Sequence, residues 1–150
     1  MRRPQQGEET VIPPWIEYMD HTADAGIVVR AGTLPELYSR AAWGMCSLLT
    51  DMSTVRPETR TTVSVEATDR EALMVRWLSE LNFRHITQRT VFGVFDVRRV
   101  DETRLEAEVG GESIRPDRHI IFTEIKAVTY HLLEVAPESQ GWRARVVFDL

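Results

Sequence analysis

The sequence predicts α+β architecture: one domain with a largely antiparallel sheet and two amphipathic helices on one face. Three observations carry this. Two long segments repeat apolar residues at helical spacing, each behind a capping signal; the segments around them alternate with the period of a strand; and the C-terminal half consists of hairpin-like pairs without a helical period. At 150 residues the chain is long enough for one hydrophobic core and too short for a second independent one.

Residues 1–14, with Pro4, Pro13, Pro14 and mostly polar side chains, read as a flexible arm, and the domain is expected to span residues 15–150. A short strand over Ile16–Tyr18 runs into Asp20-His21-Thr22-Ala23-Asp24, and Gly26–Arg30 reads as a second strand. Thr33-Leu34-Pro35-Glu36 has the form of a capping box with Thr33 as N-cap. Behind it, Leu37, Tyr38, Ala41, Met45, Leu48 and Met52 make one apolar helical stripe. Thr62–Thr68 alternates as a half-buried strand, with Val63, Val65 and Ala67 inward. Thr68-Asp69-Arg70-Glu71 repeats the capping pattern and predicts a second helix to about Ile86, with Leu73, Trp77, Leu78 and Leu81 on its buried face. Val91–Arg99 and Arg104–Val109 predict a hairpin around Asp101-Glu102, ended by Gly110-Gly111. Glu124–Val135 and Trp142–Phe148 predict a last strand pair joined through Pro137–Gly141.

Composition narrows the function. A net charge of −5 argues against a dedicated non-specific nucleic-acid binder, whose affinity comes from clustered Lys and Arg on phosphates. Any RNA is therefore expected to be held by a partner. No apolar run reaches the ~20 residues of a transmembrane helix. Arg2-Arg3 is followed by polar residues and not by the apolar stretch of a signal peptide, so the protein is expected in the cytoplasm. Cys46 is the single cysteine and reads as a small core residue, which leaves no disulfide framework or thiolate zinc site.

The only lysine is Lys126; the other cationic side chains in the Lys and Arg count are all arginine. An ammonium is a compact charge on a flexible stem, and guanidinium replaces it poorly where geometry is tight. Either this lysine is retained for that chemistry, or it is simply the last one left by a coding bias.

In the final strand the alternation puts Trp142, Ala144, Val146, Phe148 and Leu150 on the core face and Asp149 on the other. The terminal carboxylate of Leu150 then stands close to the Asp149 side chain. A third acid from the Asp20–Asp24 loop would complete an oxygen-only cluster suited to calcium or magnesium. The competing reading makes Asp20, Thr22 and Asp24 turn formers and pairs Asp149 with Arg143 or Arg145. His21, His119 and His131 match no ligand spacing. His131, placed on one face with Ile125, Ala127 and Thr129, is expected to be hydrogen-bonded against the core, with Lys126 on the opposite face and partly desolvated.

Taken in order, Asp20-His21-Thr22-Ala23-Asp24 after a Tyr-containing strand, the capped helix after Gly32, the Gly111-Glu112 to His119 segment, Glu124 to His131 and the closing Asp149-Leu150 resemble the archease family from about Trp15 to Leu150. The family's proteins assist the GTP-dependent tRNA-splicing RNA ligase. The resemblance implies an accessory protein without a reaction of its own, promoting ligase guanylylation and multiple turnover. It implies a divalent cation, calcium or magnesium, on Asp24, Asp149 and Leu150, and places Lys126, Glu124 and His21 at the contact with the ligase. Two other classes stay in view. A general chaperone or adaptor needs an exposed apolar patch, of which the sequence shows no obvious surplus, and a metal-dependent phosphoester hydrolase needs an open coordination position and a general base.

Overall fold

The computed structural model of the protein describes residues 11–20 and 23–150. In chain order its elements are β1 (Ile16–Asp20), β2 (Asp24–Ala31), α1 (Leu34–Leu49), β3 (Thr59–Glu66), α2 (Arg70–Gln88), β4 (Thr90–Val100), β5 (Arg104–Ser113), β6 (Ala127–Val128), β7 (Glu134–Glu138) and β8 (Gly141–Asp149). This is the α+β arrangement expected, with every strand pair antiparallel. The strands divide between two sheets, however, where alternation alone suggests one. A five-stranded sheet has the order β1-β2-β8-β6, with β7 also on β8, and a three-stranded sheet has the order β3-β5-β4.

Both helices start where their caps dictate. The Thr33 hydroxyl accepts from Glu36 N, and the Glu36 carboxylate reaches back to Gly32 N, so the cap satisfies two backbone donors. In α2 the N-cap is Asp69 and not Thr68: its carboxylate accepts from Ala72 N at 2.8 Å. A carboxylate at a helix N-terminus also opposes the positive end of the helix dipole, which a hydroxyl does not. The first helix stops at Leu49, so Met52 belongs to a separate 3-10 turn over Met52–Thr54.

The helices pack against both sheets and join them into one core. From α1, Leu37, Met45 and Leu48 are buried in one cluster with Ile27 and Val146 of the larger sheet; from α2, Leu73, Trp77 and Leu81 are fully enclosed. The Trp77 indole N–H donates to Tyr38 O at 2.9 Å and the Tyr38 hydroxyl to Arg70 O at 2.7 Å, so the large aromatics of the core keep their polar atoms satisfied.

Two further expectations are corrected. Gly110 and Gly111 do not end β5, which continues to Ser113. They lie opposite Val94 and Phe92, either side of a bulge at Gly93, and a Cβ on Gly111 would sit 2.2 Å from Val91 O. The glycines thus permit a close approach of β4, a common reason for glycine inside a strand. Nor is Glu124–Val135 one strand. Ala127–Val128 pairs with the end of β8, Tyr130–Leu133 then forms a turn with Leu132 at φ 56°, and Glu134–Val135 returns to β8 as the start of β7. The face assignments fail with it: His131 is exposed, Ile125 is buried, and both Lys126 and Ala127 face water.

Candidate functional site

Strand β8 runs down the middle of the larger sheet and ends between two neighbours. On one side Asp149 is the register partner of Asp24, the first residue of β2. On the other it is the partner of Ala127, and Lys126 N donates to Asp149 O at 2.8 Å. Leu150 N in turn donates to Ala23 O at 3.4 Å, which holds the last residue beside the start of β2.

Directly opposed residues of an antiparallel pair project from the same face, with Cβ atoms about 4.5–5.5 Å apart. Ala25 and Phe148, one position further along, are both fully buried, so Asp24 and Asp149 share the face away from that core. Two carboxylates in this relation repel each other. Asp24 gains little relief: its Oδ1 is buried and has no hydrogen-bond partner among the described residues. A buried polar atom without a partner costs about 1–3 kcal/mol. The arginines available in the sequence for Asp149 are engaged elsewhere. Arg143 pairs with Glu134 and Glu138, and the Arg145 Nε donates to Leu132 O.

An oxygen cation ligand set fits this arrangement in its donors: two carboxylates in register, one oxygen unsatisfied, and the last residue alongside. Side chains alone do not complete it, since no three described His, Cys, Asp or Glu residues gather in a group able to hold a metal ion. Lys126 and Glu124 are exposed on the segment that pairs with the end of β8, and Lys126 makes no ion pair with a described residue. His21 lies outside the described residues.

The segment that delivers Glu124 and Lys126 is tied down by a cluster that motif spacing does not reveal. Glu112 is 2% exposed and His119 3%. Glu112 Oε2 accepts from Arg56 N at 2.7 Å and from His119 Nε2 at 3.0 Å, while Oε1 takes the Arg118 guanidinium. His119 Nδ1 accepts from Arg115 N at 2.9 Å, so the ring is neutral and carries its proton on Nε2. Burial by itself raises the Glu112 carboxyl, but the Arg56 N–H, the His119 bond and the Arg118 charge together hold it below the usual carboxylate range. Three further bonds extend the anchoring: Thr50 Oγ1 to Ile120 O, Phe122 N to Leu49 O and Asn82 Nδ2 to Ile125 O. The pointer in the sequence was the Gly111-Glu112 to His119 segment, which carried part of the family resemblance without its physical role.

Fold and site together define a class: small α+β proteins in which two helices join two antiparallel sheets and carboxylates gather at the end of a central strand. The Archease protein family (MTH1598/TM1083) matches residues 16–150, and the chain belongs to that family. It is 36% identical to the protein archease of Methanosarcina acetivorans over 98% of this chain and 99% of that one. It is 38% identical to the protein archease of Methanopyrus kandleri over 91% of this chain and 99% of that one. Among solved structures it is similar to Methanobacterium thermoautotrophicum protein 1598, with a TM-score of 0.76 and 32% identity over 91% of this chain and 99% of that one. The Thermotoga maritima archease, described as a possible chaperone, shares the fold at a TM-score of 0.59 and 18% identity over 95% of this chain and all of that one.

Proposed function

We propose that this protein activates a GTP-dependent tRNA-splicing RNA ligase through the acidic end of β8. The observation that carries the reading, in a member of the archease family, is the in-register opposition of Asp24 and Asp149 with one Asp24 oxygen buried and without a partner among the described residues. Asp24, Asp149 and the carboxylate of Leu150 would hold a divalent cation, calcium or magnesium. When bound, such a hard cation supplies charge neutralisation at phosphate oxygens. The chain's own contribution is positional. The pairing of β2, β6 and β8 fixes the two aspartates, and the backbone bond from Lys126 to Asp149 keeps the ammonium at the same strand end. Exposed there, Lys126 is able to meet a phosphate of the ligase's guanylate site, with Glu124 and His21 at the edge of the contact.

The test is RNA ligation by the host's own ligase at substoichiometric enzyme with GTP and metal, comparing this protein with its Asp24→Ala and Lys126→Ala variants. Multiple turnover with the wild type, lost in both variants while they stay folded, is the expected result. Stimulation that survives both substitutions would overturn it.

A chaperone or adaptor reading has one observation in its favour. Phe83, Ile120, Tyr130 and Leu132 are large apolar or aromatic side chains that stay exposed, more than the sequence suggested. Equal protection of unrelated unfolding proteins from aggregation would favour that reading.

A further inference from the structure

The turn between β6 and β7 is an unusual piece of surface. Tyr130 is 64% exposed and Leu132 52%, with His131 exposed between them. Leu132 adopts φ 56°, the left-handed region that a bulky side chain rarely enters and that costs about 1–2 kcal/mol for an L-residue. Glycine would sit there without that cost. The turn nevertheless holds a leucine, about half of it exposed to water.

The surrounding structure is built to keep this shape. Thr129 N and Oγ1 both donate to Val147 O, at 3.0 and 2.8 Å. His131 N donates to Thr129 Oγ1 at 3.3 Å, Leu133 N to Tyr130 O at 3.3 Å, and Arg145 Nε to Leu132 O at 2.8 Å. An arginine that alternation would offer to Asp149 is thus spent on the turn. Backbone strain that is over-determined by its neighbours marks functional positions more often than scaffold ones.

The turn follows Lys126 by four residues and borders the same edge of β8 that ends at Asp149. α2 comes up against the segment that leads into it, with Asn82 Nδ2 donating to Ile125 O. An apolar knuckle therefore stands beside a centre whose fixed charges are mostly carboxylate. The complement of that surface is a protein with a basic cleft and an apolar socket at its margin.

We propose that Tyr130 and Leu132 are the docking contact by which the protein seats on its partner ligase, placing the acidic strand end over the guanylate cleft. This rests on the ligase reading given above. Docking is thereby separate from chemistry: the knuckle sets affinity, and Asp24 with Lys126 sets what happens once bound.

The experiment measures binding of the full-length protein to the host's ligase by titration calorimetry, alongside melting temperature and ligation turnover. Wild type, Tyr130→Ala, Leu132→Gly and Asp24→Ala are compared. Leu132→Gly is expected to melt no lower than wild type, because relief of the left-handed strain offsets glycine's greater freedom when unfolded. Both knuckle variants are expected to bind at least tenfold more weakly and to regain wild-type turnover when added in excess. Asp24→Ala is expected to bind within threefold of wild type and to remain inactive at any concentration. Wild type that stimulates the ligase while both knuckle variants bind within twofold of it overturns this inference alone. Wild type that neither binds nor stimulates overturns the ligase reading and the inference with it.

Discussion

At the scale of the residue, two carboxylates carry opposite lessons. Asp24 is placed against a like charge with a buried oxygen that no described residue satisfies, an arrangement that a bound cation would relieve. Calcium or magnesium at a hundred times its dissociation constant would add about 2.7 kcal/mol of stability by mass action. Wild type is expected to melt several degrees higher with the cation than with chelator, and Asp24→Asn to show no such difference while matching or exceeding apo wild type. Equal cation shifts in both proteins would remove Asp24 from the ligand set. Glu112 is the contrary case, a buried carboxylate with every oxygen served. Its folded pKa lies below its ordinary value of 4.5, so the charged form contributes stability that is fully present above that value. That contribution is lost as pH falls through the folded pKa. Glu112→Gln is expected to cost about 1–3 kcal/mol in urea unfolding at pH 7, where an imperfectly replaced buried partner is exposed as a defect. The gap between variant and wild type should narrow steadily below pH ~4.5 as the wild type protonates. A gap that widens toward acid has the wrong sign for this account.

At the scale of the element, legibility follows the length of the pattern. The helices were readable because fifteen or more residues of period 3.6 stand behind a side-chain cap, and their buried faces are those the stripe gives. The second start was misread by one residue because Thr68 and Asp69 both suit an N-cap and only geometry shows which side chain reaches the backbone. Asp69→Ala is therefore expected to destabilise by about 1 kcal/mol in chemical denaturation, and Thr68→Ala by under about 0.5 kcal/mol. Reversed magnitudes would restore Thr68 as the cap. The Glu124–Val135 stretch was misread for a different reason. β7 already occupies β8 from Gly141 to Arg145, so only the last positions of β8 remain for β6 and the chain between must jog outward. Competition for a strand edge is a tertiary fact and leaves no local trace. The same competition hid the knuckle, whereas Asp24 and Asp149 come together as register partners of β2 and β8, with Leu150 bonded to Ala23 beside them.

At the scale of the whole molecule, the distribution of charge matters more than its sum. Many arginines are paired across strands or along helices, as in Arg98 with Asp96 and Glu108 and Arg84 with Glu80, so they contribute little net field. Asp24 and Asp149 stand at one end of the larger sheet, with Glu124 and the single ammonium of Lys126 on the segment bonded there. An acidic end on a molecule of net charge −5 steers it toward a basic cleft, and steering acts on the association rate more than on the lifetime of the complex. Raising ionic strength shortens the reach of that field from about 10 Å at 0.1 M to about 3 Å at 1 M. Stopped-flow association with the proposed ligase partner is therefore expected to slow at least fivefold between 50 mM and 500 mM salt, while dissociation changes by less than twofold. The asymmetry follows from the docking proposed above, because apolar contacts made by Tyr130 and Leu132 would not be screened by salt. An association rate indifferent to salt, or a dissociation rate that carries the whole effect, would mean that the acidic end does not lead the encounter.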